Sequence, residues 1–124
     1  SQSSPSWQPG DKQHSPHGLG VKHISINPEQ ESSVYSLMVS SCVPRPVALV
    51  SSLSAGGTGN LAPFSYFGVV SHDPPTIMLG ICTKGGGVKK DTIVNIEQTG
   101  EFVVNLISDW MVEAASHCAG TQGG

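Results

Sequence analysis

Asn60-Leu61-Ala62-Pro63-Phe64-Ser65-Tyr66-Phe67 is the stretch on which the reading of this 124-residue chain turns. Upstream of it, Val47 to Leu53 is β-branched and apolar on both faces, the pattern of a strand buried on two sides. The run Ser54-Ala55-Gly56-Gly57-Thr58-Gly59 between them is a turn signal, which makes Val47–Leu53 and Asn60–Ala62 a hairpin. The second strand ends in residues that packing alone would not select. Asn60 offers an amide, Ser65 a hydroxyl and Tyr66 a phenol, while Ala62 and Pro63 are small and flat enough for a ring system to lie against the backbone. Such a strand end suits a planar ligand with a polar edge. The alternative is a corner in which Phe64, Tyr66 and Phe67 plug the core; that accounts for Phe64 and Phe67, and less well for Asn60 and Ser65.

Outward from this hairpin the elements follow in order. Asn27 as N-cap, Pro28 at the first helical position and Gln30 as a capping-box partner predict a helix from about Pro28 to Ser40, with Val34, Leu37, Met38 and Ser41 on one face. Pro44-Arg45-Pro46 ends it, because each proline forces its predecessor out of the α region. Between Pro63 and Ser71 a single helical turn followed by extended Val69-Val70 is expected. His72-Asp73-Pro74-Pro75 reads as a turn, Thr76 to Cys82 as another core strand, and Thr83 to Gly87 as a flexible loop. Asp91 is the expected cap of a helix bearing Ile93 and Ile96, with Gly100 at its C-cap. Glu101 to Ser108 alternates like a strand. Ser108 or Asp109 caps a final helix through Trp110, Met111, Ala114, Ala115 and Cys118, stopped by Gly120. That makes about four strands.

Length allows one domain. Ser1 to Gly20 carries three Pro, three Gly and only Trp7 and Leu19 as large apolar residues, so residues 1–22 are expected to be a flexible polar segment, 23–120 the domain and 121–124 a flexible tail. A formal net charge of −3 gives no basic surface for a phosphate backbone, and no apolar run reaches the ~18–20 residues of a spanning helix. Neither nucleic acid nor membrane is an expected partner, and a cytoplasmic location is the default. Cys42, Cys82 and Cys118 are odd in number and far apart, which predicts reduced, mostly buried thiols. His14, His17 and His23 lack neighbouring Cys or clustered carboxylates, so no metal site is expected.

Several side chains could carry chemistry. Lys89-Lys90-Asp91-Thr92 places two cations and a hydroxyl at a helix start after Gly85-Gly86-Gly87. Unpaired N–H groups and the positive end of the helix dipole there form an anion site, with a solvated basic loop as the alternative. Neither a Walker loop nor a Gly-x-Gly-x-x-Gly run is present. Arg45, the single arginine, is fixed between two prolines; it could hold a phosphate or carboxylate, or pair with Asp73 or Glu97. Ser71, His72 and Asp73 lack the elbow a hydrolase triad needs. His117 and Cys118 point about 100° apart on a helix, giving an exposed His and a buried Cys rather than a thiol–imidazole pair.

The order of these motifs is more specific than any one of them. Val34-Tyr35-Ser36-Leu37, Pro44-Arg45-Pro46-Val47-Ala48-Leu49-Val50-Ser51, Asn60 to Phe67, Asp73-Pro74-Pro75, Lys90-Asp91-Thr92 with Asn95-Ile96, and Gly100-Glu101-Phe102-Val103-Val104-Asn105 together resemble the flavin reductase-like domain family over residues 23 to 119. The resemblance implies a mainly β, α+β fold with short helices, a Greek-key split β-barrel of the FMN-binding type. It also implies a homodimer with FMN near the subunit interface, flavin reduction by NADH or NADPH, and a monooxygenase as partner enzyme. Carried over residue by residue, Asn60, Ala62, Pro63, Ser65 and Tyr66 resemble the wall along the flavin ring and ribityl chain. Lys90, Asp91 and Thr92, helped by Lys89, resemble the phosphate side, and Arg45 is a further candidate. No protein acid or base is expected, because the flavin itself takes the hydride. Family members continue with strands that close the barrel, whereas this sequence runs into Gly120-Thr121-Gln122-Gly123-Gly124. The expectation is a barrel truncated on its C-terminal side. Its free sheet edge is either completed by a partner chain or marks a fragment, and a flavin-binding or assembly module without turnover is the alternative function.

Overall fold

The computed structural model describes residues 6–12, 14, 18, 20 and 22–121, in two compact units divided between Ser41 and Cys42. The expected flexible segment 1–22 falls partly, and the tail 121–124 mostly, outside the described residues, as does His17.

Among the described residues of the first unit, one helix, α1, spans Glu31–Ser41. It starts later than the caps suggest. The Asn27 carboxamide oxygen accepts from Glu29 N at 3.0 Å and the Asn27 carbonyl from Gln30 N at 2.9 Å, so Asn27 builds a separate turn. The Gln30 carbonyl then opens the helix by accepting from Ser33 N and Val34 N. No α1 residue is buried, and the Ser40 and Ser41 hydroxyls donate back to the Ser36 and Leu37 carbonyls over the last turn.

In the second unit β1 (Ala48–Leu53), β2 (Gly59–Phe64) and β5 (Val103–Leu106) form an antiparallel sheet in the order β2-β1-β5, and β3 (Phe67–His72) pairs antiparallel with β4 (Pro75–Leu79). The helices are α2 (Asp91–Thr99) and α3 (Val112–Thr121), preceded by short 3-10 turns at Gly85–Gly87 and Asp109–Met111. The result is a mixed fold of short helices on antiparallel strands, with five strands among the described residues where about four were expected. The Val43–Pro44 and Asp73–Pro74 peptides are cis. Central β1 is buried as its composition requires: Ala48, Leu49, Val50 and Ser52 are all inside. Its register with β2 puts Ala48, Val50 and Ser52 beside Phe64, Ala62 and Asn60, so these six share one face. On it Ala48, Val50 and Phe64 make the core, and Phe67, Leu79, Ile81, Phe102 and Val104 pack against them.

Several sequence expectations are corrected. The segment after Pro63 is strand, not a helical turn, since β2 runs to Phe64 and β3 begins at Phe67. Pro63 fits there because β2 is an edge strand, where a missing N–H costs no ladder bond on the outer side. β4 is shorter than the expected core strand; its Leu79 packs against the core, while Ile77 and Met78 are exposed, and among the described residues it pairs only with β3. β5 does not alternate: Val104 and Asn105 are half-buried, while Leu106 is 82% exposed. Cys42 and Cys82 are exposed and Cys118 half-buried, since they fall on the linker before β1, the loop after β4 and the side of α3. Trp110, expected on a packed helix face, is 81% exposed in the turn before α3, and α3 continues through Gly120 to Thr121.

Candidate functional site

The candidate residues gather at the two ends of β2. At its start, Asn60 Nδ2 donates to Thr92 Oγ1 at 2.9 Å. Thr92 is 2% exposed, so this bond holds the first turn of α2 against the sheet through two side chains that the sequence had singled out for different reasons. One turn further along, Asn95 Nδ2 donates to Ser52 Oγ at 3.1 Å, with both groups buried. The inner face of α2 is therefore polar where amphipathic reasoning had looked for Ile93 and Ile96, which are only half-buried. Buried polar groups are tolerated when bonded, and the two bonds run in opposite directions, Asn60 on the sheet donating to α2 and Asn95 on α2 donating to the sheet. Sequence reading quoted Asn95 only as part of a motif and missed its pairing with Ser52, because the two positions lie 43 residues apart.

Asp91 does not cap α2. Lys90, in extended conformation, occupies the N-cap without a side-chain bond, and its carbonyl accepts from Ile93 N at 3.0 Å and Val94 N at 3.2 Å. Asp91 is then the first helical residue, where a carboxylate faces the positive end of the dipole. Gly100 closes the helix as expected, with φ 73° and its N–H on the Ile96 carbonyl at 2.8 Å. The Gly85–Gly87 segment comes before the helix, with Gly86 and Gly87 at positive φ. Lys90 is half-buried beside this start. Lys89 is exposed, and its Nζ contacts both carboxylate oxygens of Glu97 at 2.7 Å, so its charge is already shared along α2.

At the far end of β2, Ser65 and Tyr66 form the two-residue corner into β3. Arg45 Nε donates to Ser65 Oγ at 3.2 Å, Nη1 to the Cys42 carbonyl at 3.1 Å, and the guanidinium carbon lies 5.9 Å from the centre of the Tyr66 ring. The pairing with Glu97 or Asp73 considered from sequence gives way to these contacts, with Glu97 engaged by Lys89 and Asp73 exposed in the β3–β4 turn. Gly80 completes the corner. Its N–H donates to the Tyr66 carbonyl at 2.7 Å, and a Cβ built on it would stand 2.9 Å from Tyr66 Cβ. Sequence reading passed over Gly80, yet a lone glycine inside a strand pattern is the ordinary signal of close backbone approach.

The pleat divides the remaining candidates: Asn60 and Ala62 share the core face, and Pro63 projects to the other. On that other face a broad open cleft of about 840 Å³ runs between the sheet and α3, lined by Leu53, Leu61, Phe102, Val103, His117 and Cys118. Asn60 also lines it, while Ser65, Tyr66, Lys90 and Thr92 lie outside it. Ser71, His72 and Asp73 do not form a catalytic array: Ser71 Oγ donates to the Asp73 carbonyl and accepts from Asp73 N, which is turn chemistry.

Comparison with known proteins gives consistent matches. The profile of the flavin reductase like domain matches residues 40–124. The solved structure of nitrilotriacetate monooxygenase component B from Bacillus cereus is 38% identical with a TM-score of 0.71, covering 82% of this chain and 51% of that one. The 2-nitrobenzoate 2-nitroreductase NbaA of Pseudomonas fluorescens is 33% identical with a TM-score of 0.70, covering 80% and 47%. An uncharacterized protein of Aquifex aeolicus (strain VF5) is 41% identical over 81 residues, 65% of this chain and 41% of its own length. The chain thus spans about half the length, or less, of the relatives it matches.

Proposed function

The chain belongs to the flavin reductase like domain family, and on that premise we propose that it binds FMN and serves hydride transfer from NADH or NADPH. The observation that supports this most directly is the Asn60–Thr92 hydrogen bond, which joins the candidate ring wall on β2 to the candidate phosphate end at α2. In this reading Asn60, Ala62, Pro63, Ser65 and Tyr66 run along the ring and ribityl chain. Thr92, Lys90 and Asp91 stand at the phosphate end, with Lys89 contributing charge from a position it shares with Glu97. The donor set suits the ligand: hydroxyl, phenol and amide groups at one end, and the unpaired N–H groups of a helix start beside a lysine at the other. Four residue steps from Asn60 to Phe64, at about 3.3 Å each, separate the two ends by roughly 13 Å, which calls for an elongated ligand.

Bound flavin would accept the hydride and supply the redox chemistry. The chain's own part is positional. Thr92 and Asn60 hold the helix start at a fixed distance from the strand, Ser65 and Tyr66 present polar groups at the corner, and Ala62 and Pro63 leave the backbone accessible. No residue is assigned as acid or base. We place the three-stranded sheet and the β3–β4 ribbon in a Greek-key split barrel. A second copy of the chain is the expected cover for exposed Val69, Val70, Ile77 and Met78 on the ribbon, and a monooxygenase the expected consumer of reduced flavin. The same exposed apolar surface favours a second reading, a module that holds or assembles flavin without turnover.

The test is direct. Purified protein reconstituted with FMN should be yellow, release FMN on denaturation and oxidise NADH or NADPH when flavin is supplied. Binding without oxidation selects the non-catalytic module, and failure to bind FMN or riboflavin refutes both readings.

A further inference from the structure

We infer that Arg45 is the positioning residue of the corner between β2 and β3, acting through Ser65 and Tyr66 rather than by holding a phosphate. Its ligand consequence rests on the flavin reading above; its geometry does not. Arg45 is the single arginine of the chain and lies between Pro44 and Pro46. Proline locks its own φ, and Pro46 confines Arg45 to extended backbone, so the side chain leaves from an invariant direction. Among the described residues, the half-buried guanidinium then spreads its planar donors over two separate segments. Nη1 meets the Cys42 carbonyl before β1, Nε meets the Ser65 hydroxyl after β2, and the cation faces the Tyr66 ring. A lysine could supply the charge but not the fork.

Two consequences follow for the corner. A hydroxyl that accepts from Nε keeps its own O–H as the donor, so Ser65 is presented to an acceptor atom of a ligand, as a ring carbonyl or an unprotonated ring nitrogen would be. Tyr66 is held from both sides, by Arg45 against its ring and by Gly80 against its Cβ and carbonyl. The candidate phosphate end lies at the opposite end of β2, joined to Asn60. Arg45 therefore governs how the fused-ring end is read and leaves the preference for a phosphorylated flavin unchanged.

The experiment compares wild type with R45K, R45A, S65A and the R45A/S65A double variant by titration with FMN and with riboflavin. NMR of the ligand-free protein follows the Arg45 δ-methylene and Tyr66 ring protons in parallel. The expected result is an upfield Arg45 δ-methylene shift in wild type that disappears in Y66L, and a Tyr66 ring that changes environment in R45K. Both arginine variants should weaken FMN and riboflavin by the same factor, about tenfold for the lost charge-assisted contacts. The double variant should lose less than the product of the single losses, because Arg45 acts through Ser65. A selective loss of FMN over riboflavin would assign Arg45 to the phosphate and overturn the inference, as would multiplicative losses or an unshifted Arg45 methylene. If R45A does not fold, R45K, which keeps the charge and most of the volume, decides. If wild type binds neither flavin, the flavin reading fails, and the NMR arm still decides whether Arg45 positions the corner.

Discussion

Replacing Gly80 by Ala tests the geometry of the candidate site with a single methyl group. The added Cβ would stand 2.9 Å from Tyr66 Cβ, 3.5 Å from the Tyr66 carbonyl oxygen and 3.6 Å from Tyr66 Cδ2. Carbon atoms prefer about 3.5–4.0 Å, so the strand ends must part by roughly 0.6–1 Å. Neither Cβ can swing aside as a flexible side-chain end would. The same movement stretches the 2.7 Å bond from Gly80 N to the Tyr66 carbonyl toward the outer limit of hydrogen bonding. Overpacking of this kind costs about 1–3 kcal/mol, and weakening the bond adds up to about 1 kcal/mol. Against this, alanine restricts the unfolded chain and returns about 0.4–1 kcal/mol, because Gly80 is not among the positive-φ glycines. The net expectation is destabilisation of about 1–3 kcal/mol in urea unfolding, with an unchanged m-value, and a weakened affinity for FMN and riboflavin alike as Tyr66 is displaced. Gly68→Ala is the matched control: it lies in β3, has nothing within 4 Å of its would-be Cβ, and should stay within about 0.5 kcal/mol of wild type. If G80A is as stable as G68A and binds flavin as wild type does, the close approach of Gly80 and Tyr66 does not exist.

Other perturbations address the other end of β2. T92V keeps the shape of Thr92 but strands the Asn60 amide, which should cost about 1–3 kcal/mol and reduce the preference for FMN over riboflavin; unchanged stability would remove the bond from the account. A double-mutant cycle of S52A and N95A should give a coupling of about 0.5–3 kcal/mol, and additive effects would show that the two buried groups do not depend on each other. K90A should reduce FMN binding relative to riboflavin more than K89A does, since Lys89 is engaged with Glu97; the reverse order in parallel titrations would move the phosphate contact to Lys89. K89A should also cost at most about 1 kcal/mol of stability, because the pair is exposed on both sides.

Much of this was readable in the residues, and the limits have physical causes. The apolar run from Val47 to Leu53 and the glycine-rich turn after it defined β1, the hairpin and its antiparallel sense, because both are local signals. Gly100 was identified as a helix stop because a left-handed C-cap favours one residue type. The expectation of a core strand from Thr76 to Cys82 held in part: Leu79 and Ile81 pack against the core while Ile77 and Met78 are exposed, because burial is decided by what lies across from a strand. Asp91 as a cap failed by one residue, since the extended Lys90 takes the N-cap and its carbonyl accepts from Ile93 and Val94.

By itself the sequence determined which residue types could bind and in what order they come: the Asn60 to Tyr66 strand end, the cation-rich helix start at Lys90 to Thr92, and an arginine held between prolines. Those features depend on chemistry carried by each residue and on spacing along the chain. Only the tertiary structure decided that Asn60 bonds to Thr92, that Arg45 turns to Ser65 and Tyr66, and that Gly80 seats Tyr66. Each of these contacts joins residues at least 14 positions apart, and such pairings depend on how the strands register rather than on any local preference.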